Sequence, residues 1–141
     1  MNSPATDLAR RLELEGVGSM GLGTTGPGAG MGIFVAEMPP QPSEAVCLYA
    51  YAGDPDDSLG CAKIDYFRIQ VRTRARTYEA AWALALQVEQ EIDRLQMSVA
   101  DGSNTVYYVI VNRLGPVSEL MKDEDRRTIL VQNYTGIRQL I

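Results

Sequence analysis

The most regular pattern in the chain is an alternation of side-chain character between residues 67 and 74. One side of an extended strand would carry a mostly apolar set, Phe67, Ile69, Val71 and Thr73. The opposite side would carry a polar set, Arg68, Gln70, Arg72 and Arg74. Because successive side chains of a strand point to opposite faces, the pattern predicts a strand with one face in the core and a basic face in solvent.

A helical pattern follows this strand. Thr77 offers a hydroxyl to cap a helix, and Glu79 places a carboxylate in its positively polarised first turn. Apolar residues then recur at helical spacing, at Ala81, Leu84, Ala85, Val88, Ile92 and Leu95. We therefore predict the main helix over residues 77–96. The stretch 80–86 is apolar on every side, so either a second element of the chain or another subunit should cover it.

Shorter patterns flank this strand and helix. Ser3 and Pro4 favour a short N-terminal helix that ends near Glu15, before Gly16. Runs of β-forming residues predict further strands at residues 33–37, 45–51, 105–112 and 128–134. This order indicates a single α+β domain over residues 1–141. We expect a mostly antiparallel sheet of about four to five strands packed against one long helix, plus the short N-terminal helix.

A glycine-rich segment occupies residues 16–32. Two overlapping stretches within it fit G-x-G-x-x-G, the phosphate-binding pattern of dinucleotide folds. That pattern requires a strand before it and a helix after it, whereas here a helix precedes and a strand follows. We interpret the segment as a surface loop whose role in assembly is open.

The composition narrows the functional classes. A formal charge of −5 argues against a free-standing nucleic-acid binder, which is usually basic. Histidine is absent and the cysteines are Cys47 and Cys61, so no zinc site can be assembled. A disulfide between these two is possible, but the absence of a signal-peptide pattern favours reduced thiols in a cytosolic chain. No apolar run is long enough to span a membrane.

The sequence shows no catalytic apparatus. A serine or cysteine nucleophile usually requires a base, and the chain has no histidine to supply one. The acids Asp54, Asp56 and Asp57 lack the spacing of a calcium loop and are typical of a turn. The charged run 122–127 has no apolar pocket beside it that would separate the pKa values of two carboxylates. We therefore predict a protein that is not an enzyme and has no metal site or cofactor.

Positive charge is concentrated on the predicted strand and its exit, at Arg68, Arg72, Arg74 and Arg76. Such a cluster has three interpretations: a solvated face, a contact with phosphates, or a contact with an acidic surface of another protein. We expect no aromatic residue to interleave with these arginines on the same face. That argues against a stacking platform for single-stranded nucleic acid.

Three segments carry a more specific pattern. They are, in chain order, MPPQPSEAVCLYAYAGDP, YFRIQVRTRARTYEAAWALALQVEQEIDRL and KDEDRRTILVQNYTG. Together they resemble the small minor capsid or tail terminator (tail completion) proteins of long-tailed bacteriophages. The resemblance covers about residues 33 to 136 and leaves most of the glycine-rich segment outside it.

The resemblance implies a structural virion protein. Members of this family form a ring, commonly hexameric, at the head-proximal end of the tail tube, where it stops polymerisation and provides the head–tail joining surface. The expected partners are copies of the same chain, the tail tube protein and a head-completion or connector protein, without a membrane. Double-stranded DNA would pass through the lumen without sequence-specific binding. The expected location is the virion tail, after assembly in the host cytoplasm.

The predicted interface residues combine the charge pattern with this resemblance. We expect subunit or tube contacts from Arg68, Arg72, Arg74 and Arg76. Complementary charges would come from Asp123, Glu124, Asp125 and Arg126. Trp82 and Leu86 would pack at an interface or beneath the glycine-rich segment. The alternatives are a head-completion or connector adaptor, a tail tube protein and, less favoured, a small-molecule-binding α+β domain.

Overall fold

The structure is a computed structural model that describes residues 2–20, 31–51 and 63–140. The described helices are α1 (Pro4–Leu14) and α2 (Tyr78–Ile92). The described strands are β1 (Gly32–Val35), β2 (Ala45–Tyr51), β3 (Lys63–Ala75), β4 (Leu95–Asp101), β5 (Asn104–Arg113), β6 (Ser118–Lys122) and β7 (Thr128–Leu140).

The fold class differs from the predicted α+β class. The described residues form a mostly β structure, in which 50% of the residues are in strands and seven strands make one curled, half-barrel sheet. Both helices are short. The prediction of four to five strands packed against one long helix was wrong because β4 was assigned to the end of the main helix and β6 was missed.

The main helix ends at Ile92, before the predicted residue 96. The amide of Asp93 still donates to the Glu89 carbonyl at 2.9 Å, but Asp93 already has an extended ψ of 128°. Arg94 has a φ of 63° and donates its amide to the Val111 carbonyl at 2.6 Å, which directs the chain into β4. Leu95 fits the helical spacing, yet it begins β4 and lies in the core.

The missed strand β6 has no alternation to reveal it, since all five of its residues are exposed. It pairs with the first part of β7, from Ser118 opposite Val131 to Lys122 opposite Thr128. The turn between the two strands holds most of the charged run of residues 122–127.

The strand order is β1-β2-β3-β7-β5-β4, with β6 beside β7. Neighbouring strands are antiparallel except β1 and β2, which are parallel. Parallel neighbours require the chain to cross back to the end at which it started. The proline-rich residues 36–44, here termed the connector, make that crossing.

Both helices pack on one face of the sheet, here termed the inner face. The core on this face joins α1, α2 and the central strands through Leu8, Leu12, Ile33, Leu48, Ile69, Val71, Leu84, Val88, Ile92 and Tyr134. Gln132 adds a hydrogen bond between the sheet and α2, since its Nε2 atom donates to the Ala85 carbonyl at 2.9 Å. Neither described helix packs on the opposite face of the sheet, which is here termed the outer face.

A close approach between β3 and β7 requires glycine at one position. Phe67 and Gly136 are paired across these strands, and the Phe67 ring lies over the Gly136 backbone. A Cβ atom at residue 136 would lie 2.8 Å from both Cε atoms of that ring. The buried ring therefore occupies the space that a side chain would need.

Residues 21–30 of the glycine-rich segment lie outside the described residues. The acidic turn of residues 53–60 and Cys61 also lie outside them. The described ends of the glycine-rich segment meet at the sheet edge, where Ser19 bridges Gly32. The Ser19 amide donates to the Met31 carbonyl at 3.1 Å, and the Ile33 amide donates to the Ser19 carbonyl at 3.0 Å.

Candidate interaction surfaces

A groove of about 460 Å³ runs across the outer face where β2, β3 and β7 lie side by side. It is here termed the outer-face groove and is lined by Tyr49, Ala50, Tyr51, Gln70, Arg72 and Asn133. The register explains this grouping, since Tyr49 pairs with Gln70, which in turn pairs with Asn133. Arg68 is exposed on the same face, opposite Tyr51.

Arg72 is held in a fixed orientation within this groove. Its guanidinium carbon lies 4.8 Å from the centroid of the Tyr49 ring, a cation–π contact. Its Nε atom donates to Gln70 Oε1 at 2.8 Å. Burial, followed by a hydrogen bond with Cys47, raises the pKa of Tyr49 to about 12. The Tyr49 hydroxyl is therefore protonated at neutral pH, and the ring under Arg72 is uncharged.

The expectation that no aromatic side chain shares the arginine face was wrong. Tyr49 and Tyr51 come from the neighbouring strand β2, and the register brings them beside the arginines of β3. The hydroxyl of Tyr51 donates to Asn133 Oδ1 at 3.5 Å, a long hydrogen bond across the groove. Sequence alternation within a single strand cannot reveal side chains that a neighbouring strand supplies.

The connector covers the outer face at the end of β3 that carries Arg74. Arg74 lies there with an exposed fraction of 3%, instead of on a solvated basic face. Its guanidinium donates to three carbonyl oxygens, those of Pro39 at 2.7 Å, Pro42 at 2.6 Å and Ser43 at 3.3 Å. Burial, and then the nearby charge of Arg127, lower the pKa of Arg74.

Arg127 is the second arginine that binds the connector. It is buried and donates to the Pro40 carbonyl at 2.5 Å through Nη1. Its Nε atom donates to Asp123 Oδ2 at 2.7 Å, and Asp125 lies 3.3 Å from its Nη2 atom. Arg74 of β3 and Arg127, just before β7, thus fix the connector, and they are here termed the arginine anchor.

Asp123 organises the β6–β7 turn as well as the anchor. Its Oδ1 atom accepts backbone hydrogen bonds from Asp125 at 3.0 Å and Arg127 at 2.9 Å. Desolvation acts to raise the pKa of Asp123, but the hydrogen bonds and charge of Arg127 outweigh it and lower that pKa. The carboxylate is therefore ionised and engaged inside the subunit at neutral pH.

Cys47 lies beneath the covered end of the outer face and is fully buried. Burial raises the pKa of its thiol, so the reactive thiolate is disfavoured.

A second surface lies where α2 meets β6. Tyr78, Trp82 and Leu86 occupy successive turns of α2 and remain 44%, 38% and 40% exposed, with the rings of Tyr78 and Trp82 stacked at 6.1 Å. Beside them Val117 packs against the cluster of Ala81 and Ala85. Val117 lies just before β6, and it and the α2 stripe are here termed the α2–β6 patch.

The inner face also contains a buried polar network. The hydroxyl of Tyr108 donates to Asp7 Oδ2 at 2.6 Å and accepts a 3.4 Å hydrogen bond from Arg138. Arg138 also donates to Asp65 at 2.6 Å and to the Asn2 carbonyl at 2.8 Å. Burial and the bond to Asp7 raise the pKa of Tyr108. The network holds α1 against β3, β5 and β7. Its polar groups bond to one another, so its role is structural.

Comparison with known proteins identifies the family. A family model described as "Bacteriophage tail terminator protein" matches residues 15–139. The chain belongs to the bacteriophage tail terminator family. This terminator is a structural virion component that associates with other phage structural proteins, and its family is generally non-enzymatic. The resemblance found in the sequence is thereby confirmed.

A solved structure shares the fold of this terminator. It is a chain of the "Virion of native gene transfer agent (GTA) particle", with 18% sequence identity and a TM-score of 0.51. The similarity covers 76% of this chain and 78% of that chain. No curated protein matches the terminator.

The structure distributes the ten predicted interface residues of the terminator over five places. Arg68 and Arg72 lie on the outer face, whereas Arg74 belongs to the arginine anchor. Arg76 borders a polar depression beside Asp125 and Arg127. Trp82 and Leu86 lie in the α2–β6 patch, and the β6–β7 turn carries Asp123, Glu124, Asp125 and Arg126.

Sequence reasoning missed several residues of these surfaces. Tyr49 and Tyr51 alternate with apolar residues in the predicted strand 45–51, and that alternation was the available signal for a second face. The network of Asp7, Tyr108 and Arg138 had no such signal, because its members are far apart in the chain.

In residues 2–20, 31–51 and 63–140, no three acidic, cysteine or histidine side chains are grouped so that they could hold a metal ion. Neither described helix is long and apolar enough to cross a membrane.

Proposed function

We propose that the protein forms a ring, hexameric as in the family pattern, that caps the head-proximal end of the tail tube. The ring stops tube polymerisation and offers its other side to the head-completion or connector protein. Double-stranded DNA passes through its lumen without sequence-specific contacts. Assembly takes place in the host cytoplasm.

The family match over residues 15–139 carries this proposal, and it favours a terminator over a tube protein or a connector adaptor. The described surface is consistent with a protein that acts by binding other proteins. It carries two separated patches, one polar and aromatic on the outer face and one apolar at α2 and β6. A closed ring of more than two subunits requires two different surfaces on each subunit.

The α2–β6 patch supplies one such subunit contact through Trp82 and Leu86. Large apolar side chains grouped in this way are typical of interface centres. Arg68, Arg72 and Arg76 contact the tube or a neighbouring subunit. Arg74 acts indirectly, since it fixes the connector that borders the outer face.

The complementary charges lie at the tip of the β6–β7 turn. Glu124, Asp125 and Arg126 are exposed there and are the members of the run that face a neighbour. Asp123 positions them through its backbone hydrogen bonds.

Electron microscopy of particles made after deletion of the gene from its parent phage tests the proposal. Overlong or frayed tail tubes beside detached, DNA-filled heads are the expected result, with normal virions restored by the wild-type gene in trans. Tails of normal length beside leaking heads would instead identify a head-side adaptor. Normal virions would exclude both roles.

A further inference from the structure

The outer face of the three central strands bears no acidic residue. The chain has 18 aspartates and glutamates, yet β2, β3 and β7 contain a single one, Asp65. Asp65 lies on the inner face, where it pairs with Arg138 at 2.6 Å. The connector that precedes β2 carries Glu37 and Glu44. The three strands themselves therefore contribute no negative charge to the outer face of this acidic protein.

The side chains that do occupy this face are suited to bind carboxylates. Arg68 is exposed and forms no ion pair with the residues that the structure describes. Arg72 is oriented by Tyr49 and Gln70, and among the described residues its two terminal nitrogens have no hydrogen-bond partner. Arginine presents these nitrogens as a planar fork that matches a carboxylate. Because Arg72 is already ordered, binding would cost it little side-chain entropy.

The composition of the face is typical of the centre of a protein–protein interface. Tyrosine and arginine are enriched at such centres, and aspartate, glutamate and lysine are depleted. Here Tyr49, Tyr51 and Arg72 line a groove of about 460 Å³, and Arg68 lies on the same face opposite Tyr51. We propose that this groove docks a carboxylate-bearing surface of the tail tube protein. This contact rests on the capping function proposed above and is the specific attachment of the terminator to the tube.

A second copy of this chain fits the groove less well. The acidic run in the described chain is the β6–β7 turn, and its charge is largely neutralised internally. Asp123 and Asp125 both contact Arg127, while Lys122 and Arg126 flank them. With three acids and three basic residues, the turn has no net negative charge, so it suits the mixed-charge contact proposed above better than the arginine-lined groove.

Duplex DNA also fits less well. A duplex carries one phosphate charge per about 1.7 Å of its axis, and stable binding requires several cations along it. In the central strands the described outer face offers the exposed Arg68 and the half-buried Arg72. Their spacing suits one or two carboxylates better than a continuous row of phosphates.

Co-sedimentation with tubes assembled from the parent phage's tail tube protein tests this inference. The double variant Arg68→Gln/Arg72→Gln should weaken tube binding by at least about tenfold and remove most of its dependence on salt. The matched control is Arg10→Gln, which removes an exposed arginine from α1 and should leave tube binding unchanged. Arg72→Lys keeps the charge but loses the planar fork, and it should fall between wild type and the double variant.

Parallel measurements separate the inference from its competitors. Equal tube binding by wild type and the double variant would overturn the inference and leave the capping function standing. A wild-type protein that binds no tubes would overturn the capping function itself. Binding of a 30-base-pair duplex, lost in the double variant while tube binding persists, would assign the groove to DNA. Loss of self-association alone would assign it to a second copy. If Arg72→Gln alters folding, the single variant Arg68→Gln still measures the effect on tube binding. Arg68 forms no ion pair with the residues that the structure describes.

Discussion

Tyr108 donates a 2.6 Å hydrogen bond to Asp7, a residue 101 positions earlier in the chain, and both side chains are buried. This contact joins the first helix to the middle of β5. Arg138 and Asn2 complete the surroundings of the pair, so every member of the network depends on the docked position of α1.

Tyr108→Phe should lower the free energy of unfolding by about 1–3 kcal/mol, because it leaves the buried Asp7 carboxylate without its strongest donor. The urea midpoint from circular dichroism measures the change. Tyr107→Phe is the matched control, since Tyr107 is the neighbouring tyrosine but is 43% exposed. Equal midpoints for the two variants would contradict a stabilising role of this hydrogen bond.

Gly136→Ala should destabilise the fold by about 1–3 kcal/mol, because the new methyl group overlaps the buried Phe67 ring. In a Phe67→Leu background the same substitution should cost less, since the smaller side chain can move aside. A double-mutant cycle on urea midpoints gives this coupling energy. A cost at residue 136 that is independent of Phe67 would show that the overlap is not its cause.

Asp123→Asn should remove a pH-dependent part of the stability. The pKa of Asp123 is lowered in the folded state from its ordinary value of 3.8. Its contribution is therefore complete above that value and is lost as the pH falls through the folded-state pKa. Wild type should have a higher melting temperature than the variant at pH 7, and the difference should shrink below about pH 4. Glu124→Gln, at the exposed neighbour, should show no such convergence.

Trp82→Lys combined with Leu86→Lys should prevent subunit association, because charge would replace the exposed apolar stripe of α2. Light scattering coupled to size-exclusion chromatography should show a monomer in place of a ring. Leu14→Lys is the control, as Leu14 is an 81% exposed apolar residue of α1. If both variants associate like wild type, the α2–β6 patch is not a subunit contact.

Local signals in the sequence predicted several elements correctly. The Ser3 and Thr77 caps gave the starts of both helices, and β2 runs from Ala45 to Tyr51 as predicted. These features depend on neighbouring residues alone. The same holds for the alternation of β3, whose inner face carries Phe67, Ile69 and Val71 in the core.

The errors arose where two local signals coincide or where none exists. Leu95 satisfies the helical spacing and also the alternation of β4, and the positive φ of Arg94 decided between them. β6 is exposed on both sides and therefore has no hydrophobic period. Arg74 was assigned correctly to the outer side of β3, but its burial depends on the connector, which only the tertiary fold brings over it.

The arginine anchor grips the connector through carbonyl oxygens of the main chain. Every bond it makes there, to Pro39, Pro40, Pro42 and Ser43, goes to a group that any residue provides. The attachment therefore depends on the path of the connector backbone and not on the identity of most connector side chains. Substitutions at the exposed positions Gln41 and Glu44 can change the chemistry at this border while the attachment stays intact. The surface beside the outer-face groove can therefore be altered without a change in the fold.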